Sequence, residues 1–216
     1  MAIAAGLVVA AVFGGLRAAV AHPHVWIESR CDIVFNSDGL ISAIRVSWEF
    51  DETYSAVAVE GLDTNADGHY DAEELQALAA ENIEALEDYD YFTYMKVDGN
   101  PVAYNKVRDF GQYYKDGYLI LYFTVPLKDP IDPRVKNVTY AIYDPTFYIS
   151  IEPTLTGALQ MLGAVPTGCG FTMRKSVAEA DDYQYSEAFW AKADTGIGAL
   201  FAPSFDIICK SKITAR

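Results

Sequence analysis

The chain has 216 residues, of which 51% are hydrophobic and 13% aromatic, which is enough for one domain with a sizeable core. It carries 16 basic and 30 acidic residues, a formal net charge of −14 at pH 7. This negative charge disfavours nucleic acid and anionic membrane surfaces as partners and favours cations. An acidic surface that only keeps the protein in solution would also explain most of the charge.

The first segment, residues 2–16, is almost wholly apolar and is soon followed by Ala19-Val20-Ala21, a cleavage signal of small residues. The pattern predicts a secretory signal peptide over residues 1–21 and a mature protein that begins at His22. The apolar run is short for a membrane span, and nothing later resembles one. We therefore expect a periplasmic or secreted protein, one mixed domain over residues 22–216, with no direct membrane insertion after cleavage.

The mature N-terminus alternates apolar and polar residues from Val25 to Phe35, which predicts a half-buried strand. If that strand extends to the terminus, His22 and His24 project from its polar face two residues apart. Together with the α-amino group of His22 they could share one metal ion. Nitrogen donors suit Ni²⁺, Co²⁺, Zn²⁺ or Cu²⁺ better than Ca²⁺. The alternative is an ordinary polar strand start, in which both histidines bond to water or backbone.

The segment from Asp63 to Glu74 reads DTNADGHYDAEE and fills every slot of the EF-hand calcium loop. Its sharp turn falls on Gly68, where a residue without Cβ is favoured. The alternative is an acidic surface loop that matches by chance. The predicted calcium ligands are Asp63, Asn65, Asp67, His69 through its backbone carbonyl, Asp71 and Glu74.

Apolar residues recur at helical spacing on both sides of this loop. They predict a short entry helix with Asp51 as its N-cap and an exit helix over residues 72–87. We therefore expect an EF-hand inserted at about residues 51–88.

Beyond the exit helix the sequence is rich in short alternating runs and turn signals, which predicts an antiparallel sheet or sandwich. Pro126, Pro130 and Pro133 are expected to break structure. The overall prediction is an α+β fold, mainly an antiparallel β sheet or sandwich with an inserted helix–loop–helix. Strands are predicted over residues 91–97, 102–107, 119–125, 138–143, 147–151, 169–174 and 201–209, with a helix over 178–192.

Three cysteines in an exported chain allow one intramolecular disulfide and leave one thiol. Cys31 falls on the apolar face of the first strand and is expected to be a buried small hydrophobe. We therefore favour a disulfide between Cys169 and Cys209, although the sequence leaves other pairings open.

Five segments together resemble a bacterial family of exported proteins, the domain-of-unknown-function family 1007. It is often labelled the periplasmic component of an uncharacterised ABC-type transport system. Its members commonly sit beside nickel/cobalt-type transporter genes, which implies a metal-handling role for His22 and His24. The resemblance also covers Tyr143-Asp144-Pro145, whereas Cys31 is not part of the pattern. The segments are HPHVWI at 22–27, WEFDETYS at 48–55, GLDTNADG at 61–68, DYFTYMKVDG at 90–99 and YDPTFY at 143–148.

Three classes of function remain open. The first is an exported calcium-binding, metal-handling accessory protein of a divalent-cation or ABC-type transport system, with a membrane transporter for divalent metal as its partner. The second is a calcium-rigidified solute-binding or protein-interaction module without a transition-metal site. The third is a copper redox enzyme that uses His22. The chain lacks G-x-S-x-G, H-E-x-x-H, P-loop and C-x-x-C motifs, so a non-enzyme is expected.

Overall fold

The structure is a computed structural model that describes residues 23–180 and 196–209. Over these ranges the chain forms two β-sheets. The first has the order β5-β6-β2-β1-β8, with β9 also paired with β1, and the second has the order β10-β11-β7-β3-β4. The strands are β1 (Val25–Phe35), β2 (Ile41–Phe50), β3 (Thr93–Val97), β4 (Asn100–Pro101), β5 (Asp109–Lys115), β6 (Tyr118–Ile131), β7 (Val138–Ile142), β8 (Ile149–Pro153), β9 (Leu159–Gly163), β10 (Cys169–Arg174) and β11 (Ser204–Cys209).

The described helices are few. They are α1 (Glu52–Ala58), α2 (Ala72–Glu87), a 3₁₀ turn at Asp90–Phe92 and two four-residue helices, Val177–Ala180 and Gly198–Phe201. None of the helices within the described ranges is both long and apolar enough to cross a membrane. The predicted α+β class with mainly antiparallel sheets is confirmed, with the exception that β8 and β9 run parallel to β1.

The two sheets pack on one another, and the core lies between them. Every second residue of β1 is buried, as its alternating pattern predicts. From the second sheet, the Tyr140 hydroxyl donates a hydrogen bond to Cys31 Sγ at 3.0 Å. In the same core, the Trp48 ring stacks on Phe92 with centroids 6.2 Å apart and meets the edge of Phe123 at 5.1 Å. One cluster of buried apolar side chains contains residues of both sheets, so the sheets are joined by apolar packing as well as by this polar contact.

Helix α1 begins where the sequence predicts, because the Asp51 carboxylate accepts a hydrogen bond from Tyr54 N at 2.9 Å. The buried hydroxyl of Ser55 then fixes the helix to the first sheet. It donates to the Phe50 carbonyl at 3.2 Å and accepts from Leu119 N at 2.9 Å.

Helix α2 spans the predicted residues. Asp71 caps its N-terminus and forms a capping box with Glu74. The helix packs on β5. Its buried side chains, Leu75, Ala79, Ile83 and Leu86, are three or four positions apart and form one face.

Two predictions about the β region are wrong. Residues 102–107 form only an isolated bridge between Tyr104 and Leu127, because the Tyr104 hydroxyl itself accepts the hydrogen bond from Met95 N at 2.8 Å. Pro126 and Pro130 lie inside β6. Pro126 is tolerated there because it pairs with Ala43 and supplies its carbonyl to Asn105 N at 2.9 Å.

Smaller differences concern segment ends. The strand predicted from residue 91 begins at Thr93, because Tyr91 and Phe92 adopt positive φ angles of 55° and 51°. Strands β5 and β9 were not predicted. The signal peptide over residues 1–21, His22 and most of the helix predicted over 178–192 lie outside the described residues.

Candidate functional site

The acidic loop between α1 and α2 folds back on itself through its own side chains. Asp63 accepts hydrogen bonds from Asp67 N at 3.2 Å and from Gly68 N at 3.0 Å, one on each carboxylate oxygen. Asn65 Oδ1 accepts from Asp67 N at 2.9 Å, and Asp67 Oδ1 accepts from His69 N at 2.8 Å. Successive polar side chains therefore turn the chain around one region.

Glu74 closes the loop from its other end. One carboxylate oxygen accepts hydrogen bonds from Thr64 N at 2.8 Å, Thr64 Oγ1 at 2.9 Å and Asn65 N at 3.2 Å. The other oxygen accepts from Asp71 N at 3.2 Å. These N–H groups, first that of Asp71 and then those of Thr64 and Asn65, hold the pKa of Glu74 below its usual value. The last predicted ligand is thus brought across to the first ones.

The backbone of the loop needs two left-handed residues. Ala66 has φ 58° and Gly68 has φ 82°. A Cβ at Gly68 would meet no atom within 4 Å, so glycine is required there by backbone conformation and not by space. This confirms the sharp turn predicted at Gly68.

The loop offers only oxygen ligands, from carboxylates, the Asn65 amide and the His69 carbonyl, which is the donor set that Ca²⁺ prefers. Most of these residues are exposed, so an ion could reach them. Within the described ranges, however, no group of three or more His, Cys, Asp or Glu side chains is placed to hold a metal ion. The donor chemistry fits calcium, and binding would require the carboxylates to turn from backbone N–H groups towards the ion.

Of the two histidines predicted to bind a transition metal, the structure describes His24. His24 is exposed just before β1, donates its backbone N–H to the Tyr148 carbonyl at 2.8 Å and stacks its ring on Tyr148 at 4.7 Å. His22 is outside the described residues, so the predicted pair stays a prediction.

The YDPTFY segment has a clear structural role beside His24. Asp144 is buried and accepts hydrogen bonds from Thr146 N at 2.8 Å and Ile149 N at 3.0 Å. Gly198 lies so close to the Asp144 carbonyl that a Cβ there would collide with it. These contacts fix the turn that presents Tyr148 to His24.

The cysteine predictions are confirmed. Cys169 and Cys209 form a disulfide between directly paired residues of β10 and β11, with Cα atoms 3.9 Å apart. A disulfide is compatible with an exported protein. Cys31 is a buried free thiol.

The sequence did not reveal a row of acidic residues on the outer face of the first sheet. Glu28 of β1 pairs with Glu49 of β2 on one side and with Glu152 of β8 on the other. Alternation shows that Glu28 and Glu49 point outwards, but only the strand register brings all three together. They line a groove of about 410 Å³.

Two packed sheets, a strand-to-strand disulfide and an acidic helix–loop–helix insertion define a β-rich α+β protein with an acidic surface. The chain belongs to the family of proteins of unknown function DUF1007, whose model matches residues 7–209. It is also similar to an uncharacterised protein of Haemophilus influenzae, with 22% identity over 203 residues that cover 88% of this chain and 92% of that protein. The predicted family is thereby confirmed, whereas its label as a transport-system component stays a prediction.

Proposed function

We propose that this protein is an exported, non-enzymatic calcium-binding protein, in which the loop from Asp63 to Glu74 binds Ca²⁺ as an EF-hand. The observation that carries the proposal is the position of Glu74, whose carboxylate reaches back to Thr64 N and Asn65 N. Glu74 thus lies beside Thr64 and Asn65, which precede it by ten and nine positions, as a ligand sphere of this kind requires.

Calcium bound in this loop would also stabilise the first sheet, on which the loop and α2 pack. Tyr70, inside the loop, meets Tyr114 of β5 edge-on with ring centroids 5.0 Å apart. Helix α2, which carries Glu74 in its first turn, packs on the same strand. Ordering the loop would therefore hold both α2 and the edge of the first sheet.

We expect calcium to raise the melting temperature of the protein. A single extracellular-type site has a dissociation constant on the order of 10⁻⁴ to 10⁻³ M. Calcium at about ten times that constant would add about 1.4 kcal/mol to the free energy of unfolding. For a chain of this size the gain corresponds to about 3 to 6 °C, measurable by differential scanning fluorimetry with Ca²⁺ or with EDTA.

The matched variants for this test are Glu74→Gln and Glu81→Gln. Both remove one carboxylate from α2, but Glu81 lies on the exposed face of the helix, away from the loop. We expect Glu74→Gln to abolish the calcium response and Glu81→Gln to retain it. The same melting temperature in Ca²⁺ and in EDTA would refute the proposal.

A wider role follows if the N-terminal histidines also bind metal. The exposed imidazole of His24 and the negative net charge of the chain support a role as a periplasmic accessory protein that handles Ni²⁺, Co²⁺, Zn²⁺ or Cu²⁺ for a divalent-metal transporter.

Native mass spectrometry of protein exported so that His22 is its N-terminus tests this role. We expect one transition-metal ion in addition to calcium, lost in His24→Ala and kept in Glu74→Gln. Binding of calcium alone would instead favour a calcium-rigidified interaction module and exclude the histidine site.

A further inference from the structure

The glutamate row on the outer face of the first sheet places three negative charges on adjacent strands. Glu49, Glu28 and Glu152 lie directly opposite one another on three adjacent strands and are all exposed. Strands lie about 4.8 Å apart, so the row is about 10 Å long. Like charges in direct cross-strand pairs are destabilising. None of the ion pairs between described residues includes a carboxylate of this row.

Two aromatic side chains, Trp26 and Tyr118, line the groove together with the row. Trp26, on the same face of β1 and two residues before Glu28, has 51% of its surface exposed. Its backbone is fixed, because Trp26 N donates to Asp51 Oδ2 at 3.1 Å and Asp51 N donates to the Trp26 carbonyl at 2.9 Å. Tyr118, 37% exposed, lines the same groove. Tryptophan faces are the strongest aromatic partners for organic cations.

The groove combines these two features in one concave surface. Its volume of about 410 Å³ lies within the range of small-ligand pockets. Asp51 and Glu52 add two further carboxyl groups to its lining. The groove therefore combines the row of three glutamates with an exposed indole ring.

We propose that this groove binds a small organic polycation, that is, a compound with two or more alkylammonium or guanidinium groups. A bare metal ion fits less well, because its ligands must converge within about 2.0 to 2.6 Å of one point. The three glutamates of the row are spread over about 10 Å on three strands. Carboxylates spread along a row can instead each accept hydrogen bonds from a different cationic group. The face of Trp26 would cover the methylene chain between those groups.

Isothermal titration calorimetry with spermidine as the probe tests this proposal. We expect saturable one-to-one binding to the whole protein, and weaker binding of putrescine, which has one amine fewer. Glu28→Gln should weaken spermidine binding about tenfold, since hydrogen bonds between charged groups have about that effect. Trp26→Leu should weaken it about threefold through loss of the cation–π contact.

Glu81→Gln is the matched control, because it removes the same charge from an exposed site outside the groove. Its spermidine affinity should remain within twofold of the unmodified protein. An equal loss in Glu81→Gln and Glu28→Gln would show diffuse attraction to an acidic surface and overturn the proposal. So would displacement of spermidine by equimolar Mg²⁺, which would make the groove a divalent-metal site.

Two further variants keep the result interpretable. Glu49→Gln changes the same row from the neighbouring strand and should reproduce the tenfold loss. Glu28→Gln and Glu49→Gln relieve like-charge repulsion on an exposed face, so their melting temperatures should equal or exceed that of the unmodified protein. Glu74→Gln should bind spermidine normally while it loses the calcium response, so failure of one proposal is distinguishable from failure of the other.

Discussion

Replacing Cys169 and Cys209 together by serine is expected to lower the free energy of unfolding by about 4 kcal/mol. The disulfide joins residues that are 40 positions apart. Closing a loop of that length restricts the unfolded chain and so disfavours it. In the described part of the second sheet, β10 pairs only with β11, so the cross-link also holds an edge strand. Urea denaturation monitored by circular dichroism would measure the change.

Reduction provides the control for this prediction. Dithiothreitol should bring the unmodified protein to the stability of the double serine variant and should leave that variant unchanged. Cys31 is a free thiol in the oxidised protein as well, so it does not contribute to the difference. A double variant that unfolds at the same urea concentration as the oxidised protein would contradict the prediction.

Local sequence patterns predicted the secondary structure correctly wherever the residues that stabilise a segment are near it in sequence. Helix α2 follows its predicted bounds because its apolar spacing and the Asp71 cap are both local signals. Strand β1 likewise follows from the alternation of apolar and polar residues along it. The calcium loop is the same kind of signal, since all its ligands lie within twelve residues.

Long-range pairing could not be predicted in this way. Strand β1 pairs in parallel with β8 and β9, which are far from it in sequence. The residue pattern of a strand does not indicate which distant strand it will pair with. For the same reason Glu152 could not be placed beside Glu28. Residues 102–107 were wrongly predicted as a strand for a different reason. The Tyr104 hydroxyl accepts the hydrogen bond from Met95 N, where a regular strand would supply a backbone carbonyl.

The buried thiol of Cys31 gives the protein a predicted weakness at high pH. Burial raises the pKa of Cys31 from its ordinary value of 9.0 to about 11, although hydrogen bonds with Tyr140 and Ser29 lower it in part and the charge of Asp32 raises it further. In the unfolded chain the thiol would ionise near its ordinary pKa. Deprotonation between these two values therefore favours the unfolded state.

The expected result is a loss of stability between pH 9 and pH 11. Below pH 9 the thiol is protonated in both states, so its contribution is fully present. Between the two pKa values each pH unit removes up to about 1.4 kcal/mol, and Cys31 alone accounts for about 2 kcal/mol by pH 11. Burial also raises the pKa of Tyr140, so its ionisation acts in the same direction.

The comparison with Cys31→Ala isolates the thiol. The variant leaves the Tyr140 hydroxyl without its sulfur partner, so we expect it to be about 1 to 3 kcal/mol less stable at pH 7. Between pH 9 and 11 that deficit should shrink by about 2 kcal/mol, because only the unmodified protein has a thiol to ionise. Urea denaturation at each pH measures both curves. Parallel curves would show that Cys31 ionises at its ordinary pKa in the folded protein, which would contradict its burial between the two sheets.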